Sequence, residues 1–113
     1  MKDQRKFHRY GVSFPVECKP LFSTVYFYTV SKDLSLGGLR IISKDFLSKD
    51  SLIKLNVNLI DKILNFKAKI AWCNNRRASE RYILGIEFVE MNQISKIELF
   101  ELINEIEIIY ISN

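Results

Sequence analysis

The chain has 113 residues, of which 48% are hydrophobic and 27% are charged, as in an ordinary globular domain rather than a disordered or fibrous protein. No apolar run approaches the roughly 18 residues that span a bilayer, and no hydrophobic segment follows the basic N-terminus, so we expect a cytoplasmic protein. The net charge is +7 over residues 1–91 and −3 over residues 92–113, which favours an anionic partner for the first part.

The cysteine and histidine content argues against a metal centre and against catalysis. Cys18 and Cys73 are far apart, no CxxC motif is present, and His8 is the single histidine, which excludes a zinc site of the usual ligand count. We interpret the cysteines as reduced thiols. No Ser/His/Asp, Cys/His or paired-carboxylate arrangement is apparent, so we expect neither an enzyme nor a cofactor.

Residues 1–11 show no sustained apolar alternation and are predicted to form a flexible arm that becomes ordered on binding. The arm contains two arginines four positions apart, Arg5 and Arg9, which can face one target. A guanidinium binds phosphate or the O6/N7 edge of guanine through two hydrogen bonds, and it also stacks on bases. Alone, this RxxxR pattern would also suit a solvated basic tail.

Residues 12–113 are predicted to form one domain that begins with β-strands. Apolar alternation predicts a first strand at 12–18, in which Pro15 indicates an edge or a bulge. The second, at 24–30, is rich in β-branched and aromatic residues, and we expect its bulky outer face to be covered. Four more strands are predicted at 39–42, 53–59, 64–72 with Trp72 on the inner face, and 82–88, with a loop at 73–81.

The apolar period changes to that of a helix at about residue 92. Asn92 is a plausible N-cap, and residues at helical spacing follow it: Ile94, Ile97, Phe100, Ile103 and then Ile106 or Glu107. We expect this face to pack across an opening of a barrel. Residues 108–111 could extend the helix or form an apolar tail, and exposure of such a patch would suggest a dimer or another partner surface.

The segment Asp33–Gly38 lies between the second and third predicted strands and combines a carboxylate, a hydroxyl and two glycines. The side chains of Asp33 and Ser35 could bind a flat polar ligand edge. Gly37 and Gly38 permit positive φ and close approach of another molecule to the backbone. The alternative is a polar turn in which Asp33 and Ser35 bond only their own backbone.

The two motifs in this order, RxxxR and then DxSxxG, resemble those of the PilZ family of bacterial cyclic di-GMP receptors. The matching residues are Arg5, Arg9, Asp33, Ser35 and Gly38. The resemblance covers roughly residues 4–107 and implies an all-β fold, a six-stranded antiparallel β-barrel with a C-terminal α-helix. It also implies that the arm and the DxSxxG segment close on the dinucleotide from two sides.

The resemblance further implies a role for each motif residue. Arg5 and Arg9 are expected to bind guanine and phosphate groups, Asp33 to accept from the N1–H and N2–H₂ of guanine, and Ser35 to bond a phosphate or a base edge. Gly38 would keep the wall of the site clear. Secondary candidates are Gln4, Gly37, Arg40 and Gly85. In the family, the residue before the first arginine, here Gln4, influences whether one or two dinucleotides are held.

We therefore expect a cyclic di-GMP receptor that changes conformation on binding and regulates an unidentified effector protein, with no membrane span. Two alternatives stay open. One is a PilZ-like protein-interaction adaptor without a ligand, and the other is a basic barrel that binds single-stranded nucleic acid. The second is less favoured because the aromatic residues mostly alternate inward. A homodimer is also open.

Overall fold

The computed structural model describes residues 7–21, 23, 26–76 and 80–112, with side chains of the terminal helix described as far as Ile109. Six strands precede one helix: β1 Pro15–Pro20, β2 Phe27–Leu34, β3 Gly38–Ser43, β4 Leu52–Asn58, β5 Ile63–Asn75, β6 Tyr82–Met91 and α1 Gln93–Ser112. The strands form a closed antiparallel barrel in the order β1-β2-β3-β6-β5-β4. The predicted fold class is confirmed. Within the described residues, no helix combines the length and the apolar character required to cross a bilayer.

The period-2 patterns predict the interior of the barrel correctly in β4 and, as far as Ile70, in β5. Buried residues alternate with more exposed ones over this part of both strands, which pair in register from Leu52–Lys69 to Asn58–Ile63. Complete burial of one aliphatic side chain contributes about 1.5–3 kcal/mol, so this hairpin supplies much of the core. The inward residues of the two strands are Ile53, Leu55, Val57, Leu64, Phe66, Ala68 and Ile70.

Closure of the barrel corrects the expectation for Pro15. Strand β1 pairs with β2 on one side and with β4 on the other, so it is not an edge strand. Pro15 is the first residue of β1 and precedes Val16, the first residue paired with β4. The missing N–H of Pro15 therefore removes no hydrogen bond from the β1–β4 pairing.

The second strand is displaced from its predicted position. β2 is described from Phe27 and continues to Leu34, with an irregular register between Ser31 and Asp33. Its outer face is not covered, because 74% of the Tyr28 surface is exposed. Half of the predicted linker Asp33–Gly38 is thus strand, and the connection between β2 and β3 is only residues 35–37.

Strand β5 is longer than predicted and changes the face on which one aromatic residue lies. It extends to Asn75, so the predicted loop 73–81 is shorter than expected. A register shift between Ile70 and Trp72 places one extra residue there. Such a bulge reverses the alternation of side chains, and Trp72 therefore lies on the outer surface instead of the predicted inner face.

Helix α1 begins as predicted and buries Ile103 and Ile106 as expected, but the N-terminal half of its buried face is different. The backbone N–H of Ser95 donates to Asn92 Oδ1 at 2.7 Å, which confirms the N-cap. The Ser95 hydroxyl in turn accepts the backbone N–H of Asn65 on β5 at 3.1 Å, and this contact fixes the rotation of the helix. The side chains of Leu99, Ile103 and Ile106 follow Ser95 into the core.

The predicted inner positions Ile94, Ile97 and Phe100 are exposed, so that part of the prediction is wrong. Residues 108–111 continue α1. Of the two predicted possibilities, an extended helix and a separate apolar tail, the structure has the extended helix.

The two cysteines are not joined by a disulfide. Burial raises the pKa of the Cys18 thiol to about 12, because the thiolate would lose its hydration inside the barrel. Cys18 therefore stays protonated and acts as a small apolar core residue.

Candidate ligand-binding site

The segment before β1 is attached to the end of β2. The backbone N–H of Tyr10 donates to the Leu34 carbonyl, and the Leu34 N–H donates to the Tyr10 carbonyl, both at 2.9 Å. Further along, the Ser31 hydroxyl accepts the Phe14 N–H at 3.0 Å and donates to the Val12 carbonyl at 3.2 Å. These bonds place Arg9, the neighbour of Tyr10, directly beside the end of β2.

Two arginines surround the Asp33 carboxylate. The Arg40 backbone N–H donates to Asp33 Oδ1 at 2.9 Å, and Arg40 Nε donates to Asp33 Oδ2 at 2.7 Å. Arg9 Nη1 lies 3.9 Å from the same Oδ2 atom. Only 4% of the Asp33 side chain is exposed, and a buried carboxylate needs this compensation by charged donors. Asp33 therefore positions both guanidinium groups.

Ser35 closes the turn between β2 and β3. Its hydroxyl oxygen accepts the backbone N–H groups of Gly37 and Gly38, both at 3.1 Å, and it donates to the Gly38 carbonyl at 3.2 Å. The hydrogen bonds of Ser35 are local, as expected if this segment is only a polar turn. The Asp33 side chain, by contrast, also binds the Arg40 side chain.

The glycines of the turn are required for space and not for positive φ. All four glycines of the chain lie in the described part, and none of them has a positive φ. A Cβ atom at Gly38 would overlap the Ile86 carbonyl oxygen on β6, so the absence of a side chain permits the close pairing of β3 and β6. A Cβ at Gly37 would lie 2.6 Å from Cδ2 of the Phe7 ring.

A surface cavity of about 440 Å³ opens beside this turn. Five of the predicted site residues line it: Arg9, Ser35, Gly37, Gly38 and Gly85. Asp33 and Arg40 are not among the described lining residues, and Asp33 is linked to the cavity through Arg9. Arg5 and Gln4 lie outside the described residues, so their roles stay predictions.

The sequence interpretation missed the aromatic walls of this cavity. Phe7, Trp72 and Phe88 line it, and Glu87 adds a carboxylate that pairs with Lys69 only at 4.0 Å. The Trp72 ring lies against Gly85, where a Cβ would overlap it. A glycine within a strand indicated that another group packs closely against it, and at Gly85 that group is the Trp72 ring. The alternation of apolar and polar residues in β5 does not indicate the bulge that places Trp72 on the outer surface.

These features define a small β-barrel domain whose N-terminal basic segment and glycine-containing turn share a cavity with aromatic walls. Residues 3–105 match the family model of the PilZ domain, and the chain therefore belongs to the PilZ family. No curated protein matches the chain.

Solved structures show the same fold at low sequence identity. The PilZ domain of YcgR from Escherichia coli with c-di-GMP is 18% identical, with a TM-score of 0.74, and the match covers 93% of this chain and 92% of that one. The Klebsiella pneumoniae MrkH–c-di-GMP complex is 14% identical, with a TM-score of 0.78, covering 95% of this chain and 54% of that one.

The inhibitor of motility MotI/DgrA from Bacillus subtilis is 18% identical, with a TM-score of 0.77, and the match covers 95% of this chain. The chain spans 52% of the length of that protein. At these identities the likeness concerns the fold.

Proposed function

We propose that the chain is a cyclic di-GMP receptor that regulates a partner protein. The observation that carries the proposal is the shared cavity, because Arg9 of RxxxR and Ser35, Gly37 and Gly38 of the DxSxxG segment line one space. Membership of the PilZ family, and solved PilZ-type structures that contain c-di-GMP, support this ligand.

The groups around the cavity match the chemistry of the dinucleotide. Its two phosphates are anionic and its guanines are flat, so a guanidinium can bind the phosphates or the O6/N7 edge of guanine. The rings of Phe7 and Trp72 offer apolar surfaces to the bases. One bidentate base contact contributes about 1–3 kcal/mol, and micromolar affinity requires about 8 kcal/mol, so a few such contacts with stacking suffice.

In this proposal Asp33 has a supporting part. Its Oδ1 and Oδ2 atoms both contact Arg40, and Oδ2 also lies near Arg9. Donation from guanine N1–H and N2–H₂ to Asp33 would have to compete with these Arg40 donors. Glu87 lines the cavity with an exposed carboxylate and is an alternative acceptor for the same guanine edge.

Titration with cyclic di-GMP tests the proposal. Trp72 is the single tryptophan of the chain and lines the cavity, so its fluorescence should change saturably in the micromolar range. Cyclic di-AMP is the matched control, because adenine offers no N1–H and N2–H₂ pair, and it should leave the emission unchanged. Absence of both the emission change and calorimetric heat with cyclic di-GMP would exclude the receptor role.

Binding is further expected to protect the N-terminal arm. The Tyr10–Leu34 bridge holds the arm at one end, and a ligand on Arg9 would hold it at a second point. Hydrogen exchange of residues 1–11 should therefore slow when cyclic di-GMP is added. Equal exchange with and without the ligand would argue against a conformational change of the arm on binding.

One observation favours the nucleic-acid alternative more than the sequence did. Tyr26 and Tyr28 are exposed, their ring centroids are 6.4 Å apart, and Lys19 Nζ lies 5.7 Å from the Tyr26 centroid. Exposed aromatic rings beside basic groups can stack on single-stranded bases. A random oligonucleotide that displaces cyclic di-GMP, or that binds more tightly than it, would support this alternative.

A further inference from the structure

We propose that the outer face of α1 is a docking surface for a basic amphipathic segment of a partner protein. The inference concerns the chemical character of the partner protein that the proposed receptor would regulate, and to that extent it rests on the proposed function. The surface consists of Ile94, Ile97 and Phe100 together with Glu98, Glu101 and Glu105.

The apolar part of this surface lies on the side of the helix opposite the barrel core. Ile94, Ile97 and Phe100 are 69%, 50% and 54% exposed, and each is one helical turn from the next. The core uses Leu99, Ile103 and Ile106 instead. A helix that is apolar on two sides normally has both of them covered, and an exposed apolar patch of this kind marks an interaction site.

The charges on this surface specify the partner. Glu98 and Glu101 each follow an apolar residue of the surface by one turn, and Glu105 follows Glu101 by one turn. Among the described residues, none of these glutamates has an ion-pair partner, whereas the barrel residues Glu87 and Glu90 have lysine partners. α1 has a single basic residue, Lys96. An apolar ridge flanked by Lys or Arg would complement this surface.

A second copy of the chain fits this surface less well. In a symmetric contact each residue near the two-fold axis faces its own equivalent. Antiparallel packing about Ile97 would bring the three glutamates of each copy into one interface, to which each α1 contributes a single basic residue, Lys96. An anionic lipid surface would likewise be repelled by the three glutamates. A helix of 20 residues is about 30 Å long, which is long enough for an amphipathic partner helix to pack alongside it.

The docking surface is linked to the cavity through Tyr10. The Tyr10 hydroxyl donates to Glu107 Oε1 on α1 at 2.6 Å, and the Tyr10 backbone forms the paired bonds with Leu34. Leu34 lies between Asp33 and Ser35, and Tyr10 follows Arg9. A ligand that moves Arg9 therefore acts on a residue that is bonded directly to α1.

A synthetic peptide pair tests the surface with the whole chain. The first peptide is an amphipathic helix of about 18 residues with leucines on one face and lysines on both sides of them. The second has glutamate in place of each lysine. Fluorescence anisotropy should show that the basic peptide binds at least about tenfold more tightly than the acidic one.

Substitutions on α1 should remove this preference. Phe100→Ser and Glu101→Lys should each weaken binding of the basic peptide about tenfold. Ile63→Ser replaces an apolar residue of similar exposure on β5 and should leave binding unchanged. Circular dichroism should show that the variants remain folded, since the substituted residues are exposed.

Equal binding of both peptides, no binding of either, or unchanged binding by the Phe100→Ser variant would overturn the docking surface. A concentration-dependent dimer in sedimentation that is lost in Phe100→Ser would assign the surface to a second copy and would also overturn the proposal.

The link to the cavity has a separate readout. Cyclic di-GMP should change the affinity of the basic peptide, and Tyr10→Phe, which removes only the hydroxyl, should abolish that change. An unchanged affinity in wild type, with calorimetry showing that cyclic di-GMP binds, would overturn the link through Tyr10. Absence of cyclic di-GMP binding with intact peptide binding would instead refute the receptor function and leave the docking surface supported.

Discussion

Replacement of Arg9 by alanine should weaken cyclic di-GMP binding at least about tenfold, the effect of losing roughly 1.4 kcal/mol of contact energy. Arg9 lines the cavity and is held beside Asp33. Its loss removes a cation that can bind phosphate or guanine, and no core residue changes. Titration calorimetry of the wild type and the variant, with circular dichroism for the fold, measures both parts of the expectation.

Lys54→Ala is the matched control for Arg9→Ala, because it removes one positive charge from β4, away from the cavity residues. A loss of affinity in this control equal to that of Arg9→Ala would show that net charge, and not the position of the guanidinium, determines binding. Unchanged affinity in Arg9→Ala itself would remove Arg9 from the site.

Gly38→Ala should lower the free energy of unfolding by about 1–3 kcal/mol, the range for an inserted methyl group in a packed region. The new Cβ would overlap the carbonyl oxygen of Ile86, and that oxygen belongs to the backbone of β6. The two strands would have to separate at Gly38–Glu87, the end of their pairing nearest the cavity. Urea denaturation provides the measurement.

Gly11→Ala serves as the control for that experiment. Apart from Gly11 itself and its two chain neighbours, no residue places an atom within 4 Å of the Cβ position at Gly11, and its φ is not positive. The substitution should be neutral or slightly stabilising, because alanine restricts the unfolded chain. If Gly38→Ala were as stable as Gly11→Ala, then the close approach of β3 and β6 would not be the reason for glycine at position 38.

The sequence predicted the barrel well where one face of a strand is buried and the other is exposed to solvent. In β4 and β5, alternation alone identified the inward residues from Ile53 to Ile70, because a slip of one residue would expose all of them. The N-cap at Asn92 was also readable, since the cap and its partner Ser95 are close in sequence. Such local and periodic signals do not depend on the rest of the fold.

The errors occurred where long-range contacts override the local pattern. The rotation of α1 depends on a hydrogen bond between Ser95 and Asn65, which are 30 residues apart. Ile94, Ile97 and Phe100 do lie on one side of the helix, but that side is exposed and does not pack against the core. Similarly, the bulge before Trp72 arises from the pairing of β5 with β6, and alternation within β5 gives no sign of it.

Five of the predicted site residues lie together around one cavity, but their role in binding stays a prediction and their geometry could not be predicted. Arg9 and the DxSxxG turn do share a cavity, as the resemblance implies. The bonds from Arg40 to Asp33 could not be anticipated, because they require the register in which these residues face each other across β2 and β3. The contacts of Arg5 remain a prediction, since it lies outside the described residues.

The position of Phe7 affects how sensitive such a receptor would be. Its ring lies in the cavity wall against Gly37, so an incoming base must either displace the ring or stack on it. Displacement costs free energy and raises the ligand concentration for half-saturation, whereas stacking lowers that concentration. The side chain at position 7 can thus set the response threshold while all residues of both motifs stay the same.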